Sequence, residues 1–424
     1  MHPPGAHVVV VRHGEIGTKS DQVRRSMEGR LRDNIAAALA ERDLPGTVER
    51  ERTRLYVRAP AAFTDDPDSI EAVTDVAAST FGVVSASPAI SVEPHADPIT
   101  DALAAAAREH YDGGTFAVRV NRAGDVDQHP FSSRELADAG GAAVWRAAAA
   151  EGVDPAVDLD DPDHTFFVDC RFEEAFVFLE KRDGPGGYPL GIQDPLVALV
   201  SGGIDSPVAA YEAMRRGAPI VPLYIDLGDY GGADHRMRAG ETVRTLWEYV
   251  PGEEPAMLVA PGGEVVERLV ETMDNDRMLG LRRFMYRVAE EVATREDAVG
   301  IVTGEAIGQK SSQTTANMRV TAAATDLPLV QPLVTRDKTD ITAQARAIGT
   351  FDDSTIHAGC NRVAPSLPET AGTLEEVEAA EPDHLFDLAA EAAAEAEWVP
   401  LSNASPPSAG DPSMDVAPDG SPEA

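Results

Sequence analysis

Four short segments in the second half of the chain consist almost entirely of apolar residues, and each leads into a stretch with helical spacing. They are residues 196–200, 220–225, 256–259 and 299–303. Strands that are apolar on both faces are buried on both sides, as in a parallel sheet covered by helices. The sequence therefore predicts an α/β domain with a doubly wound parallel sheet, which we place at residues 190–372.

The first half of the chain predicts a different class of fold. Residues 1–95 alternate strand-like segments, one of them at 47–58, with helical ones in a βαββαβ-like order, which is typical of an α+β ferredoxin-like domain. A second small α+β unit follows at residues 96–183, and the glycine-rich turn at 184–187 marks the joint to the sheet domain. The helix predicted at 20–41 has one apolar face. That face consists of Val23, Met27, Leu31, Ile35 and Leu39.

The end of the chain and its overall charge are unusual. Residues 373–400 are rich in alanine and acidic side chains, which predicts a solvated helical segment, and residues 401–424 have the composition of a disordered tail. The chain has 72 acidic and 36 basic residues, a formal net charge of −36. We interpret this charge as adaptation to a salt-rich cytoplasm, where screening reduces the repulsion between carboxylates. The alternative is an unusually soluble surface.

Hydropathy and cysteine content restrict the location and the chemistry. No segment reaches the roughly 18 to 20 apolar residues that cross a membrane, and the N-terminus lacks the features of a signal peptide. We therefore expect a cytoplasmic protein. The two cysteines, Cys170 and Cys360, exclude a disulfide framework and any four-cysteine metal site built from this chain alone.

A serine- and glycine-rich loop stands where the first apolar strand meets a helix. It covers residues 201–206, Ser-Gly-Gly-Ile-Asp-Ser. Glycines there let backbone N–H groups surround an anion, and the helix N-terminus favours negative charge. The loop lacks the Gly-Lys-Ser/Thr ending of a kinase P-loop. It resembles the PP-loop of ATP pyrophosphatases, with an ordinary strand–helix turn as the alternative.

Two further polar segments follow strands of the same predicted sheet. Residues 303–313 come after the strand at 299–303, and residues 332–338 end on Lys338. Loops at the carboxyl ends of parallel strands converge on the ligand crevice. We therefore expect Lys338 beside the loop, where a leaving pyrophosphate needs positive charge. A solvated surface lysine is the alternative.

Five motifs in the same order resemble the tRNA 4-thiouridine synthetases, also called tRNA sulfurtransferases. They are residues 11–19, 184–187, 201–207, 303–314 and 332–338, so the resemblance covers nearly the whole chain. It implies a ferredoxin-like domain, a THUMP RNA-binding domain and a PP-loop (adenine nucleotide alpha hydrolase-like) domain. It also implies ATP-dependent sulfur transfer to a tRNA uridine: the uridine oxygen is adenylated, pyrophosphate leaves, and sulfur attack gives 4-thiouridine.

The resemblance assigns roles to particular residues. Asp205 and Lys338 match positions needed for adenylation, and Asp205 is also the candidate ligand for Mg²⁺. Cys360 matches a catalytic cysteine, whose thiolate or persulfide would be the sulfur nucleophile; a structural thiol is the alternative. The implied ATP-binding residues are Leu199, Val200, Ser201, Gly202, Gly203, Ser206, Tyr224, Ile225, Arg282, Gly304 and Gln313.

The chain departs from the family pattern in two places. The C-terminal rhodanese domain of many bacterial members is missing, so an external sulfur donor is needed and a role in thiamine thiazole synthesis loses support. The CxxC pair of some archaeal members is replaced by Met278 and Leu281. We therefore expect no iron–sulfur cluster on this chain.

Family members are often homodimers, so the resemblance implies a homodimer as a possible assembly of this chain. Core packing is the expected role of Cys170.

The tRNA partner is expected in spite of the negative charge. Residues 1–58 contain 11 basic and 8 acidic side chains, so this segment is positive while the rest is negative. Such a local reversal suits an RNA-facing surface; a helix with internal ion pairs is the alternative. The resemblance to a THUMP domain favours the RNA-facing surface and implies that the partner is tRNA. The candidate contacts are Lys19, Arg24, Arg25, Arg119, Arg122 and Arg134.

Two other function classes stay open on the sequence. One is a different PP-loop enzyme, either 2-thiolating or amidating, and an amidating enzyme would release pyrophosphate without tRNA. The other is a non-catalytic tRNA-binding protein. Such a protein would form no adenylate, and Asp205→Ala would leave its tRNA affinity unchanged.

Overall fold

A nine-stranded sheet forms the first half of the molecule in the computed structural model, which describes residues 1–51, 54–59, 62–63, 66, 68–124, 129–231, 233–354 and 363–401. Its strands are β1 (Val8–His13), β2 (Thr47–Glu51), β3 (Arg54–Arg58), β4 (Val83–Val92), β5 (Thr115–Arg122), β6 (Ala156–Val157), β7 (His164–Cys170), β8 (Ala175–Phe178) and β9 (Arg182–Asp183). Its helices are α1 (Asp21–Glu41), α2 (Ser69–Ser79), α3 (Ala96–His110) and α4 (Ser133–Ala150), with a 3-10 turn at Glu15–Thr18.

Strand β4 joins the two units that the sequence predicts separately. Along the sheet the order is β2-β3-β1-β4-β8-β7-β5-β6, and β9 also pairs with β4. On one side of β4, Ala89 faces Val8 of β1; on the other it faces Phe178 of β8. The prediction of one strand at 47–58 is wrong, because this stretch forms the hairpin β2–β3. The two units predicted at residues 1–95 and 96–183 therefore share one continuous sheet.

Helices pack on one face of this sheet, and aromatic and basic side chains lie on the other. Val9 and Val11 of β1 lie under α1 and α2, whereas Val8 and Val10 point to the opposite face, as the strand period of two requires. Most of the predicted apolar face of α1 is buried, but Val23 is exposed. On the opposite face, long basic side chains lie over aromatic rings, as described below.

The second half of the molecule is a six-stranded sheet of order β14-β13-β10-β11-β12-β15, and it confirms the predicted doubly wound α/β fold. Its strands are β10 (Leu196–Leu199), β11 (Ile220–Asp226), β12 (Ala256–Pro261), β13 (Ile301–Val302), β14 (Leu329–Val330) and β15 (Glu397–Pro400). Five are parallel, and β15 is antiparallel to β12. The helices are α5 (Asp205–Arg215), α6 (Ala233–Trp247), α7 (Gly263–Thr272), α8 (Arg277–Arg295), α9 (Thr315–Ala322), α10 (Lys338–Ala347), α11 (Phe351–Ser354), α12 (Leu374–Ala380) and α13 (Leu385–Ala394), with a 3-10 turn at Gly228–Tyr230.

The predicted helices at 373–400 are present as α12 and α13, but the prediction that this segment is solvated is wrong. Leu385, Ala389 and Ala393 of α13 are buried in the core beside α8. The last residues of the segment form β15, whose Pro400 pairs with Ala256 at the sheet edge. Alanine buries little area per residue, so an alanine-lined core face resembles a solvated helix in composition.

Arg283 fastens this segment to α8. Its side chain is 1% exposed and forms ion pairs with Glu381 and, at 3.1 Å, with Glu378. It also donates to the backbone oxygen of Val320. Burial raises the pKa of Glu381, because the charged form loses water, while the Arg283 guanidinium acts in the opposite direction.

The glycine-rich turn at 184–187 connects the two sheets through hydrogen bonds at both ends. The backbone N–H of Gly82 donates to the oxygen of Gly186 at 2.8 Å, and Arg215 at the end of α5 donates to the oxygen of Pro185 at 2.8 Å. Gly187 has a φ of +73°, and a side chain there would overlap the backbone oxygen of Arg215. The turn therefore packs directly on the helix that follows the PP-loop.

Within the described parts of the chain, no helix is long and apolar enough to cross a membrane.

Replacing Arg283 with methionine should lower the free energy of unfolding by about 3 kcal/mol, because Glu381 would stay buried without its cation. Chemical denaturation in concentrated KCl, followed by circular dichroism, measures this change. The control is Arg287→Met on the same helix. Arg287 is 31% exposed and pairs with Glu290 and Glu291, so less than about 1 kcal/mol should be lost. Equal losses in the two variants would contradict the assigned role of Arg283.

Candidate active site

The loop at 201–206 is held closed by its own serines. The backbone N–H of Ser201 donates to Ser206 Oγ at 2.9 Å, and the two hydroxyl oxygens lie 3.0 Å apart. The N–H of Gly203 is directed at Ser201 Oγ, at 3.3 Å. Helix α5 begins immediately at Asp205, and Pro207 in its first turn has no N–H to leave unpaired. The loop thus presents backbone donors at a helix N-terminus, as an anion site requires.

Three strand ends meet at Asp205. Lys338 Nζ lies 2.6 Å from Asp205 Oδ1, although 133 residues separate the two in sequence. Gln309 Nε2 donates to Asp205 Oδ2 at 2.7 Å. The structure therefore brings Lys338 to the PP-loop, where it was expected. Because the lysine side chain is 46% exposed, this pair adds little stability and its charge stays within reach of a ligand.

Gly304 is where the second loop touches the first. A Cβ on this residue would lie 2.7 Å from the carbonyl carbon of Asp205 and 2.8 Å from the nitrogen of Ser206. Real Cβ atoms essentially never come so close, so only glycine fits. The close approach fixes the distance between the two loops.

Arg282 lies in a buried polar network behind these loops. It forms an ion pair of 3.0 Å with Glu305 and donates to the backbone oxygen of Ser312 at 3.1 Å. Glu305 also accepts from the Tyr286 hydroxyl and from Gln331 Nε2, the latter at 2.9 Å. Burial, followed by the Glu305 charge, raises the pKa of Tyr286 well above its ordinary value. Sequence reasoning missed Glu305 and Tyr286; a buried glutamate directly after Gly304 was the available signal.

The remaining residues expected to bind ATP fall into two groups, according to whether their backbone or their side chain could contact the nucleotide. Val200, Tyr224 and Ile225 have buried side chains in the sheet core, and Leu199 is half-buried, so a nucleotide would meet their backbone at the strand ends. Gln313 differs, because its Oε1 is buried and has no hydrogen-bond partner among the described residues. A buried acceptor without a donor is costly and rare, so this atom suits a ligand N–H or O–H.

Gly202 packs against α6, which the sequence did not connect with the site. A Cβ there would lie 3.0 Å from the Cβ of Arg238 and 3.3 Å from the backbone oxygen of His235. Both side chains are buried. The pKa of His235 is lowered by burial and then by the Arg238 charge, so a neutral imidazole is favoured beside the loop.

A second polar region lies on the first sheet, on the face opposite its helices. Asp169 is 2% exposed; Arg171 approaches its Oδ1 to 2.6 Å, and Arg54 its Oδ2 to 3.8 Å. Arg12 lies over the Phe178 ring at 4.5 Å, and Lys181 over the Phe167 ring at 4.5 Å. Beside this network is a cavity of about 710 Å³, which we call the basic cavity. Its charged lining consists of five arginines and three glutamates, which are Arg24, Arg25, Arg50, Arg54, Arg171, Glu51, Glu173 and Glu174.

Crowding of cations on this face changes their protonation equilibria. Burial, and then repulsion from Arg54, lowers the pKa of Arg12 to about 10. The pKa values of Arg54 and Lys181 are also lowered, first by burial. An anion placed here would relieve this repulsion, so the face is suited to phosphate groups.

The structure separates the predicted RNA contacts. Arg24 and Arg25 line the basic cavity, whereas Arg119 and Arg134 line a neighbouring cavity of about 390 Å³. Arg122 ends β5. Lys19 lies elsewhere, 5.1 Å over the Tyr188 ring. The positive segment 1–58 includes Arg12, Arg50 and Arg54, whereas sequence reasoning missed Arg171 and Lys181.

Comparison with known proteins identifies the domains that carry the two regions. Family models match residues 8–87 (ThiI ferredoxin-like domain), 94–180 (THUMP domain) and 191–386 (Thiamine biosynthesis protein, ThiI). A protein of Halobacterium salinarum named a probable tRNA sulfurtransferase is 59% identical, over 93% of this chain and 98% of its own length. The chain belongs to the ThiI family. A Methanosarcina acetivorans member, named likewise, is 40% identical over 86% of each chain.

A solved member of the family has the same architecture. It is described as a 4-thiouridine synthetase–RNA complex with bound ATP. The TM-score is 0.77 at 26% identity, over 93% of this chain and 99% of that one. The Halobacterium relative, for its part, supports the interpretation of the acidic composition as salt adaptation.

The structure describes one of the two thiols of this chain. Cys360 lies outside the described residues. Cys170 is fully buried in β7, and burial followed by the Asp169 charge raises its pKa to about 11, so it is a poor nucleophile. Leu281 is buried and Met278 packs against the same core, which agrees with apolar roles for both.

The described residues contain no group of three His, Cys, Asp or Glu side chains that could hold a metal ion. Asp205 is the acid at the PP-loop, and each of its oxygens already accepts from one neighbour. A carboxylate oxygen has a further lone pair. Asp205 therefore fits as one ligand of a Mg²⁺ ion that takes its other ligands from phosphates and water.

We predict that Gly304→Ala weakens ATP binding about tenfold, because the added methyl group pushes the second loop away from α5 and breaks about one phosphate contact. Titration of the protein with labelled ATP measures the affinity. The control is Gly141→Ala in α4, where a Cβ would meet nothing within 4 Å. Unchanged ATP affinity in Gly304→Ala would show that the close approach does not shape the site.

Proposed function

We infer that this chain is an ATP-dependent tRNA sulfurtransferase that converts a tRNA uridine to 4-thiouridine. The observation that supports this best is the meeting of Asp205, Lys338 and Gln309 at the N-terminus of α5. A lone surface lysine would not be directed at an acid in the first turn of the loop helix. The names of the relatives and the ATP- and RNA-bound structure agree with this inference.

In the proposed complex the phosphates of ATP lie on the loop at 201–206. The backbone N–H groups and the helix dipole stabilise their charge. The backbone at the ends of β10 and β11 would meet the nucleoside, and Gln313 Oε1 would accept a hydrogen bond from it. Arg282 and Gly304 complete the nucleotide site, Arg282 held in place by Glu305.

The first chemical step is adenylation of the base. The O4 atom of uridine attacks the α-phosphorus, the bond to pyrophosphate breaks, and the N3 proton passes to solvent. Lys338 would move from Asp205 toward the phosphates and offset the growing negative charge. Mg²⁺ that arrives with ATP would supply further positive charge, with Asp205 as its ligand on the protein.

The second step replaces AMP with sulfur. Hydrosulfide can attack C4 and expel AMP, and its own proton then restores N3–H, so no further reagent is needed. A persulfide on Cys360 can also attack, but the sulfur–sulfur bond must then be reduced. Because Cys170 is buried, that reduction requires an external thiol. The sulfur donor in either case comes from outside the chain.

The basic cavity is the proposed tRNA surface. Arg54 and Arg171 line it from the network around Asp169, where burial and then repulsion from Arg171 lower the pKa of Arg54, and Arg24 and Arg25 line it from α1. The tRNA backbone would replace that repulsion with phosphate contacts, and the shape of the folded tRNA would set its orientation.

We predict that wild-type protein forms 4-thiouridine in unmodified tRNA with Mg-ATP and sulfide in concentrated KCl. Asp205→Ala should form none, and Lys338→Met should lose on the order of 100-fold or more in rate, because charge stabilisation at the phosphate is removed. Nucleoside mass spectrometry and pyrophosphate release measure the two steps. Cys360→Ser should still release pyrophosphate, since the thiol acts after adenylation.

The matched control is Asp337→Asn, because Asp337 precedes Lys338 and makes no side-chain cap contact. Its activity should equal that of wild type. Formation of 2-thiouridine, or pyrophosphate release without tRNA, would assign a different PP-loop reaction. Binding of ATP and tRNA with no pyrophosphate release would assign a non-catalytic role.

Arg25→Ala and Arg54→Ala should each weaken tRNA binding and lower the slope of log Kd against log [KCl] by about 1, as expected for one lost phosphate contact. ATP affinity should stay unchanged. Filter binding across a KCl series measures both quantities. Arg268→Ala is the control, because Arg268 pairs with Glu264 on the surface of α7. If Arg268→Ala has the same effect, the basic cavity is not the tRNA surface.

A further inference from the structure

Gln309 has a side chain whose orientation is fixed by chemistry. A carboxylate without its proton can only accept hydrogen bonds, so the amide group must turn its NH₂ toward Asp205. That bond, from Nε2 to Oδ2, is 2.7 Å long. The amide oxygen Oε1 is consequently directed away from Asp205. It is buried and has no hydrogen-bond partner among the described residues.

The loop around Gln309 holds this oxygen in place. Gly308 has a φ of +74°, and its N–H donates to the backbone oxygen of Gln313 at 2.8 Å. The N–H of Ile307 donates to the backbone oxygen of Val334 at 3.0 Å, which ties the loop to the segment that leads to Lys338. An acceptor held in this way without a donor costs free energy, so the site is built for a ligand donor.

The position of the orphaned oxygen restricts which donor it can take. Gln309 touches Asp205, the residue that also contacts Lys338, so its oxygen lies beside the proposed site of phosphorus transfer. The N6 amino group and ribose hydroxyls of ATP belong to the adenosine end, and the proposed function pairs that end with a different orphaned acceptor, Gln313 Oε1. The donor that the reaction brings next to the α-phosphorus is the N3–H of uracil, one atom from the C4 that carries the attacking oxygen.

We propose that Gln309 reads the target base: its amide oxygen accepts the N3–H of uridine and so selects uridine over cytidine. This proposal rests on the proposed function. Cytidine has a lone pair at N3, and an acceptor facing an acceptor is repulsive. An amide does not take up a proton, so Gln309 binds and orients the base while the N3 proton itself passes to solvent.

The same contact has a consequence for the intermediate. Adenylation removes the N3 proton, so the hydrogen bond to Gln309 is lost as long as the adenylate exists. Attack by hydrosulfide restores N3–H and with it the bond. Gln309 therefore favours the uridine and thiouridine states over the reactive species between them.

The test compares two tRNA transcripts that differ only at the target, which is first located by mapping the thiolated uridine formed by wild-type protein. One transcript has uridine and the other cytidine at that position. Their Kd values are measured with the full chain in the presence of Mg²⁺ and α,β-methylene-ATP, which cannot transfer AMP. Wild-type protein should bind the uridine transcript about tenfold more tightly, the effect of one hydrogen bond.

Gln309→Met keeps the length of the side chain and removes its acceptor, and Gln309→Ala serves as a second variant. In both, the uridine transcript should bind about tenfold more weakly, and the preference should fall to about 1. Thermal unfolding checks that the variants are folded. Every protein is tested with the same two transcripts, so any difference in folding between the transcripts cancels when the ratio of Kd values is compared between proteins.

Gln313→Met is the matched control on the same loop. It should weaken binding of the ATP analogue and leave the uridine preference unchanged. A preference that persists in both Gln309 variants would overturn the proposal. So would a loss of nucleotide affinity in Gln309→Met equal to that in Gln313→Met. Failure of the proposed function would look different, because wild-type protein would then form no 4-thiouridine and release no pyrophosphate.

Discussion

The close approach of the backbone at Gly304 to the start of α5 is the constraint on which the rest of the site depends. It leaves no room for a side chain between the two loops, so the ends of β10 and β13 are locked at one separation. Gln309, seven residues beyond the end of β13, can then reach Asp205, and so can Lys338 from beyond β14. Arg282 is held behind the same loop through Glu305. A phosphate-binding loop becomes a reaction site only because these side chains share a fixed frame.

Much of this frame could be predicted from the sequence. The four apolar segments correspond to β10, β11, β12 and β13, because strands buried on both faces leave an unmistakable pattern. The meeting of Lys338 with the loop also followed, since parallel strands place their carboxyl ends at one edge. What could not be predicted were contacts that no periodicity encodes, such as Tyr286 with Glu305 or Arg238 behind Gly202. The buried alanines of α13 were misread, because alanine is common both in cores and on solvated helices.

Charge is distributed in a way that fits a salt-rich solvent. At about 1 M salt the screening length is about 3 Å, so exposed charges act only on immediate neighbours. The cations around Asp169 are partly buried, and salt screens partly buried charges less than exposed ones. Such a surface can keep an attraction for phosphates when the net charge of −36 is masked. The aromatic rings beneath Arg12 and Lys181 hold these cations in place over the sheet.

The sharing of β4 by the two halves of the first sheet has a geometrical consequence. A strand cannot bend between two sets of ladder hydrogen bonds without breaking one set, so this sheet has no hinge at β4. The turn at 184–187 then joins the same strand to the end of α5, with hydrogen bonds at both ends. The basic cavity and the PP-loop are thus held at a fixed separation. An RNA bound in the basic cavity would present to the PP-loop only the nucleotide that lies at this separation, so the rigid connection would select the position that is modified.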